Sequence, residues 1–264
     1  MKKIKIIAQI LFVLSFVLIG CSDSPTKSEQ PELHSVIKGE GPKTVVFESG
    51  LGDGLQSWDP IIDEVAAFSK VVTYNRAGYA PSPELNTDRN LDNIVAELRD
   101  HLKLKGVSAP YTLVGHSYGG LIMYYFARKY PNEVEALILL DSTPYNFVSR
   151  MRNAGVPDSV FLPSESDLSK MHPVISSEFE SIINAEQLVN NTNPLGDIPL
   201  RVLTSSKPNP GFPIEFTNVW VTLHEEISNE TSQSLHLVSD EVGHYIHHEV
   251  PEIVVDVIKD VVEN

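Results

Sequence analysis

Residues Tyr111 to Tyr130 constrain the fold more than any other stretch of this sequence. The apolar run Tyr111-Thr112-Leu113-Val114 passes directly into Gly115-His116-Ser117-Tyr118-Gly119-Gly120, and the helix-forming run Leu121–Tyr130 follows without a linker. A strand that turns into a helix in so few residues needs a sharp bend, and glycines either side of the serine let backbone and helix approach where a side chain would collide. A bare Gly-x-Ser-x-Gly arises often by chance. Between a strand and a helix it marks Ser117 as a nucleophile presented at the turn, the alternative being a purely structural glycine turn.

The rest of the chain repeats that alternation. Short apolar runs rich in β-branched residues predict strands at Thr44–Glu48, Val71–Tyr74, Tyr111–Gly115, Ala136–Asp141, Leu200–Thr204 and Ser234–Val238. Between them Leu91, Ile94, Leu98 and Leu102 recur at helical spacing, as do Ile122, Tyr125 and Phe126, and Pro251 suits the first turn of a last helix. This is the pattern of an α/β fold with a mainly parallel, doubly wound sheet. With 264 residues, 42% of them hydrophobic, the chain can bury one sizeable core.

The rhythm breaks between Ser142 and Asp197, too long for a plain crossover. Helix-like apolar patches there (Tyr145, Phe147, Val148, Met151, then Phe179, Ile182, Ile183, Leu188) predict a small helical lid inserted before the penultimate strand; the other reading is an excursion that only covers sheet surface.

The first residues carry a different signal. Lys2, Lys3 and Lys5 precede an apolar run from Ile6 to Ile19, too short to span a bilayer, which ends in Leu18-Ile19-Gly20-Cys21. This resembles a bacterial lipobox, and the resemblance implies a signal peptide over 1–20 and lipidation of Cys21. Residues 21–32, polar and proline-bearing at Ser22–Pro31, then form a flexible tether to a catalytic domain over 33–264. The expected location is the cell envelope, lipid-anchored to a membrane and facing outside the cytoplasm. Cys21 is the single cysteine, so no intrachain disulfide is available.

Three of the 20 basic residues fall in that leader, which leaves the remainder strongly acidic against 35 aspartates and glutamates. Such a surface repels a nucleic-acid backbone, so no nucleic-acid partner is expected.

The chain resembles the α/β-hydrolase fold superfamily over nearly all of residues 33–262. Besides the Ser117 turn, Ser49-Gly50-Leu51-Gly52 follows the first strand where the family usually has a His-Gly turn. Asn75-Arg76-Ala77-Gly78-Tyr79-Ala80-Pro81-Ser82 looks like the family's Asp-Arg-x-Gly-x-Gly-x-Ser segment. Gly243-His244 ahead of Pro251 resembles its catalytic-histidine turn. The resemblance implies an oxyanion hole made by the backbone amides of Leu51 and Tyr118. Ser49 in place of the common histidine matters little, because the donor is a backbone amide.

A serine hydroxyl needs a base, and nine histidines are present. His244, in the loop after the last strand, matches the family position, whereas His116 is expected to point away from Ser117 as a packing residue. His247 and His248 read as structural or surface residues, without the acidic pattern of a metal site. The orienting acid is harder to place. Residues Ser205 to Pro210, where most relatives carry it, contain no carboxylate. A subset of the family places the acid one strand earlier, which here is Asp141, giving the chain order Ser117, Asp141, His244. An aspartate at a strand end also commonly hydrogen-bonds only the next loop, and that second role stays open.

The expected chemistry is hydrolysis of a small carboxylic ester through an acyl-enzyme, with no cofactor and no metal, on a small-molecule acyl substrate. Gly50, Tyr79, Tyr145 and Phe147 are expected to line part of the pocket. Peptidase, lactonase and acyltransferase activities use the same framework, and a non-catalytic ligand-binding surface lipoprotein is the reading from another class.

Overall fold

The computed structural model describes residues 32–264. The leader, Cys21 and the tether up to Pro31 lie outside the described residues.

A seven-stranded sheet runs through the described residues in the order β1-β3-β2-β4-β5-β6-β7. Its strands are β1 (Ser35–Lys38), β2 (Thr44–Glu48), β3 (Lys70–Tyr74), β4 (Tyr111–His116), β5 (Val134–Leu140), β6 (Leu200–Ser205) and β7 (Ser234–Ser239). All neighbours are parallel except β1, which pairs antiparallel with β3. The six strands read from the sequence match β2 to β7 to within two residues at either end. Strand β1 was not expected: four residues with an exposed Lys38 at the sheet edge carry little apolar signal.

Helices cover both faces. In chain order they are α1 (Ile62–Ala66), α2 (Leu91–Leu104), α3 (Tyr118–Lys129), α4 (Phe147–Asn153), α5 (Asp158–Phe161), α6 (Glu165–Leu168), α7 (Pro173–Asn190), α8 (Ile214–Ser228), α9 (Ile246–Glu249) and α10 (Pro251–Glu263). The period-two alternation of each strand divides the core. Val46, Val72, Leu113 and Leu137 join Leu91, Ile94, Leu98 and Leu102 of α2 and the apolar face of α3. Val45, Phe47, Val71 and Val114 point the other way, against Val65 of α1 and Val254 and Ile258 of α10. Each such buried side chain contributes about 1.5–3 kcal/mol.

Residues 142–197 form α4 to α7. Helix α4 packs Phe147 and Met151 against Trp220 and Leu223 of α8. The N-terminal half of α7 lies over the carboxyl ends of β2 and β3, where Val174 closes on Gly78 and Ile175 approaches Gly52. Its fully buried line is Glu178, Ser181, Ala185 and Val189, not the apolar patch the sequence suggested; Phe179, Ile182, Ile183 and Leu188 are only half-buried.

Candidate active site

The turn between β4 and α3 holds Ser117 at φ 53° and ψ −123°, a left-handed conformation that costs a non-glycine residue on the order of 1–3 kcal/mol. Packing on every side fixes it. A Cβ at Gly115 would stand 2.5 Å from the Gly119 carbonyl oxygen, one at Gly119 2.2 Å from the Glu48 oxygen, and one at Gly120 2.2 Å from the Ser142 Cβ. The Ser117 amide donates to the Leu140 carbonyl (3.1 Å) and its own carbonyl accepts from the Thr143 amide (2.9 Å), which ties the turn to the end of β5.

Asp141 follows immediately after β5, also at positive φ (42°), and is buried. Its Oδ2 accepts from His244 Nδ1 at 2.6 Å. Its Oδ1 accepts from the Trp220 indole N–H (2.8 Å) and the Ser205 amide (3.0 Å). Asp141 therefore joins the end of β6, the Trp220 indole of α8 and the imidazole, and it makes no hydrogen bond to the loop that directly follows it among the described residues. A carboxylate can only accept, so the His244 proton sits on Nδ1 and Nε2 is the nitrogen left for the cavity.

The His244 loop is pinned at three points. Ser205 Oγ donates to the Val242 carbonyl (2.7 Å), the Gly243 amide donates to Glu249 Oε2 (3.0 Å), and His116 Nε2 donates to the His244 carbonyl (3.0 Å). His116 also packs its ring 4.7 Å from that of His244. Burial first, then the neighbouring His244 and His247, push the His116 pKa well below its ordinary value, so it stays a neutral packing residue. His247 is buried against Trp58 with Nε2 3.1 Å from Ser57 Oγ, and His248 Nε2 donates to the Ser57 carbonyl.

Ser49-Gly50-Leu51-Gly52 curves past the serine. A Cβ on Gly50 would crowd Asp53 Oδ2 (3.0 Å) and His116 Nδ1 (3.2 Å) and would stand 3.5 Å from Ser117 Cβ, an ordinary contact that places this loop beside the serine. Tyr118 opens α3, where the first amides have no intrahelical acceptor. Among the described residues neither the Leu51 nor the Tyr118 amide donates to another protein group. Ser49 is not idle: its hydroxyl accepts from the Trp58 indole (2.9 Å) and donates to the Gly54 carbonyl (3.0 Å), holding the loop's curvature.

Ser117, Asp141 and His244 line one cavity of about 470 Å³. Its apolar wall is Phe212, Phe216 and Trp220, with Pro208 and Pro210 at the loop after β6. Tyr79, Tyr145 and Phe147, expected in this wall, lie elsewhere. Tyr79 spends its hydroxyl on Glu178 and Gly52, Tyr145 stacks on Tyr124 with centroids 5.7 Å apart, and Phe147 packs behind the wall, edge-on to Phe216 and Trp220.

Sequence reasoning missed α8, and with it Trp220. The signal was present, because Phe216, Trp220, Leu223 and Ile227 recur at helical spacing. It also gave no part to Arg76 or Glu178, which meet in the core beneath the Leu51 loop. Arg76 stood in a quoted motif, and Glu178 shares the helical face of Ser181, Ala185 and Val189, so a charge within a small-residue stripe was the available sign.

Comparison with known proteins agrees with this architecture. The sequence model of the alpha/beta hydrolase fold family matches residues 43–161. Uncharacterized protein YqjL of Bacillus subtilis is 30% identical over 226 residues, 85% of each chain. A pimeloyl-[acyl-carrier protein] methyl ester esterase of Legionella pneumophila is 28% identical over 144 residues, covering 54% of this chain and 56% of that one. Among solved structures, an esterase from Thermogutta terrifontis superimposes with a TM-score of 0.59 at 21% identity, over 86% of this chain and 92% of that one, a likeness of fold. The chain belongs to the alpha/beta hydrolase fold family.

Proposed function

We propose that this protein is a serine hydrolase that cleaves a small carboxylic ester through an acyl-enzyme. The observation that carries the reading is the shared cavity: Ser117, held on its strained turn, opens onto the same space as a His244 imidazole already oriented by Asp141. In the first step His244 Nε2 takes the hydroxyl proton as Ser117 Oγ attacks the ester carbonyl carbon. The tetrahedral oxyanion accepts hydrogen bonds from the Leu51 and Tyr118 amides, each contributing about 3 kcal/mol to the transition state. Collapse expels the alcohol, which takes the proton from His244. A water then gives its proton to His244, attacks the acyl carbon, and releases the carboxylic acid with Ser117 restored.

The aromatic wall of Phe212, Phe216 and Trp220 favours an apolar group on the substrate. The esterase named among the relatives supports ester chemistry. The test is a panel of esters of rising acyl length, with amides and lactones, measured beside Ser117→Ala, together with fluorophosphonate labelling of native protein. Ester turnover and labelling that both vanish in Ser117→Ala support the reading. Labelling no different from that of heat-denatured protein overturns it.

The lipobox-like Leu18-Ile19-Gly20-Cys21 supports a second part of the proposal: the domain is lipid-anchored outside the cytoplasm. Cys21→Ser then moves the protein from the membrane fraction to the soluble one, and unchanged partitioning removes the anchor.

A further inference from the structure

A buried charge cluster lies beneath the Leu51 loop. Arg76 is 2% exposed at its side chain, and its Nη1 reaches Glu48 Oε1 at 2.7 Å while Nη2 reaches Glu178 Oε2 at 3.0 Å, both carboxylates being fully buried. Arg76 Nε adds contacts of 3.0 and 3.2 Å to the two Glu178 oxygens. Burial works against the guanidinium charge, but Glu178 and Glu48 override it and hold the pKa well above its usual value. Glu48 comes from β2, Arg76 from the loop after β3, and Glu178 from α7 of the insertion.

The same guanidinium donates to the loop. Nη1 bonds the Ser49 carbonyl at 2.7 Å and Nη2 bonds the Gly50 carbonyl at 2.9 Å, the latter also accepting from the Asp53 amide at 3.2 Å. The Gly50–Leu51 peptide is trans, so its C=O and N–H point in opposite directions. Drawing the Gly50 oxygen to Arg76 therefore turns the Leu51 N–H the other way, away from the cluster. Tyr79 completes the support: its hydroxyl donates to Glu178 Oε2 (2.6 Å) and accepts from the Gly52 amide (3.1 Å). The guanidinium also stacks over the Tyr79 ring (4.6 Å) and lies 5.4 Å from the ring of Tyr118, the residue bearing the other donor amide.

A buried ion pair is a weak source of stability, since desolvation offsets most of the attraction. Its strength is geometric, because a planar guanidinium fixes several acceptors at once. We propose that Arg76, Glu178 and Tyr79 are positioning residues that aim the Leu51 amide at the oxyanion, so that α7 is a structural part of the oxyanion hole and not a cover that moves independently of it. This rests on the serine-hydrolase reading.

The test uses the full chain with Glu178→Gln and Tyr79→Phe, p-nitrophenyl acetate as substrate, and an alkyl trifluoromethyl ketone as a mimic of the tetrahedral adduct. Removing an oxyanion donor outright costs about 10²–10³-fold, so misaiming one should cost about ten- to a hundredfold in kcat. The expected result is that loss in kcat, with KM nearly unchanged and ketone affinity weakened by the same factor. Loss confined to KM or to melting temperature, with kcat and ketone affinity as in wild type, overturns the inference. Tyr79→Phe removes one hydroxyl and no charge, and it decides alone if Glu178→Gln does not fold. Wild-type protein that neither turns over the ester nor is labelled at Ser117 defeats the underlying reading instead.

Discussion

Asp141 and His244, 103 residues apart in the chain, meet at 2.6 Å between Oδ2 and Nδ1. The contact sets which imidazole nitrogen faces the cavity. In Asp141→Asn the amide oxygen can still accept from the Trp220 indole or the Ser205 amide, so the fold should survive. The amide NH₂ then faces Nδ1 and favours the tautomer with its proton on Nε2, which is the wrong nitrogen for accepting the serine proton. Turnover of an activated ester should fall about 10³–10⁴-fold with little change in melting temperature. Near-native turnover would move the search for the acid elsewhere.

Trp220 supports the same carboxylate from the far side. Phe in its place retains stacking on Phe216, whose ring lies 5.8 Å away, but removes the donor to Asp141 Oδ1. One lost hydrogen bond to a charge that orients the base should lower kcat about tenfold, or about 1.4 kcal/mol in the barrier. Acetyl esters are the proper substrate, because they are too small to sense a change in the aromatic wall. An effect seen only in KM would assign Trp220 to substrate contact alone.

How legible the site was in the sequence follows the range of the interactions involved. The Ser117 turn is local: its glycines and flanking runs are contiguous, and the strands around it were bounded closely. Asp141 became the candidate acid because no carboxylate stands between Ser205 and Pro210 and because the resemblance includes a subset of the family with the acid one strand earlier, an order the chain also follows. The wall was not legible. Phe212, Phe216 and Trp220 reach the cavity only because α8 packs beside β6, while Tyr79, just as aromatic and in a family-like motif, is diverted to Glu178. That diversion is set by a contact spanning 99 residues, which no local pattern encodes.

Gly119 tests how tightly the turn is constrained. A methyl there would meet the Glu48 carbonyl oxygen at 2.2 Å and the Ser49 oxygen at 2.6 Å, both backbone atoms of the strand and loop that lead to Leu51. Neither can rotate aside as a side chain would. Gly119→Ala should therefore destabilise the fold by on the order of 3 kcal/mol and displace the loop. Denaturant unfolding measures the first effect and ester turnover the second. A variant as stable and as active as wild type would mean that α3 shifts freely against β2.

Acid stability follows from the buried histidines. Burial lowers the His101 pKa to about 4, with Lys105 adding to it, and lowers that of His247 to about 3. Both are neutral in the native state, whereas the unfolded chain binds protons near the ordinary value of 6.5. Their contribution is complete above pH 6.5 and is lost as the pH falls toward 4 for His101 and toward 3 for His247, because there the unfolded state takes up protons the native state refuses. The melting temperature should decline across that window. His101 is the position to vary, since both of its ring nitrogens are buried without partners among the described residues and it sits in the last turn of α2, outside the lining of the Ser117 cavity. His101→Leu should flatten the decline while leaving turnover at neutral pH unchanged, and a variant whose melting temperature follows the wild-type curve between pH 6.5 and 4 would remove His101 from the account.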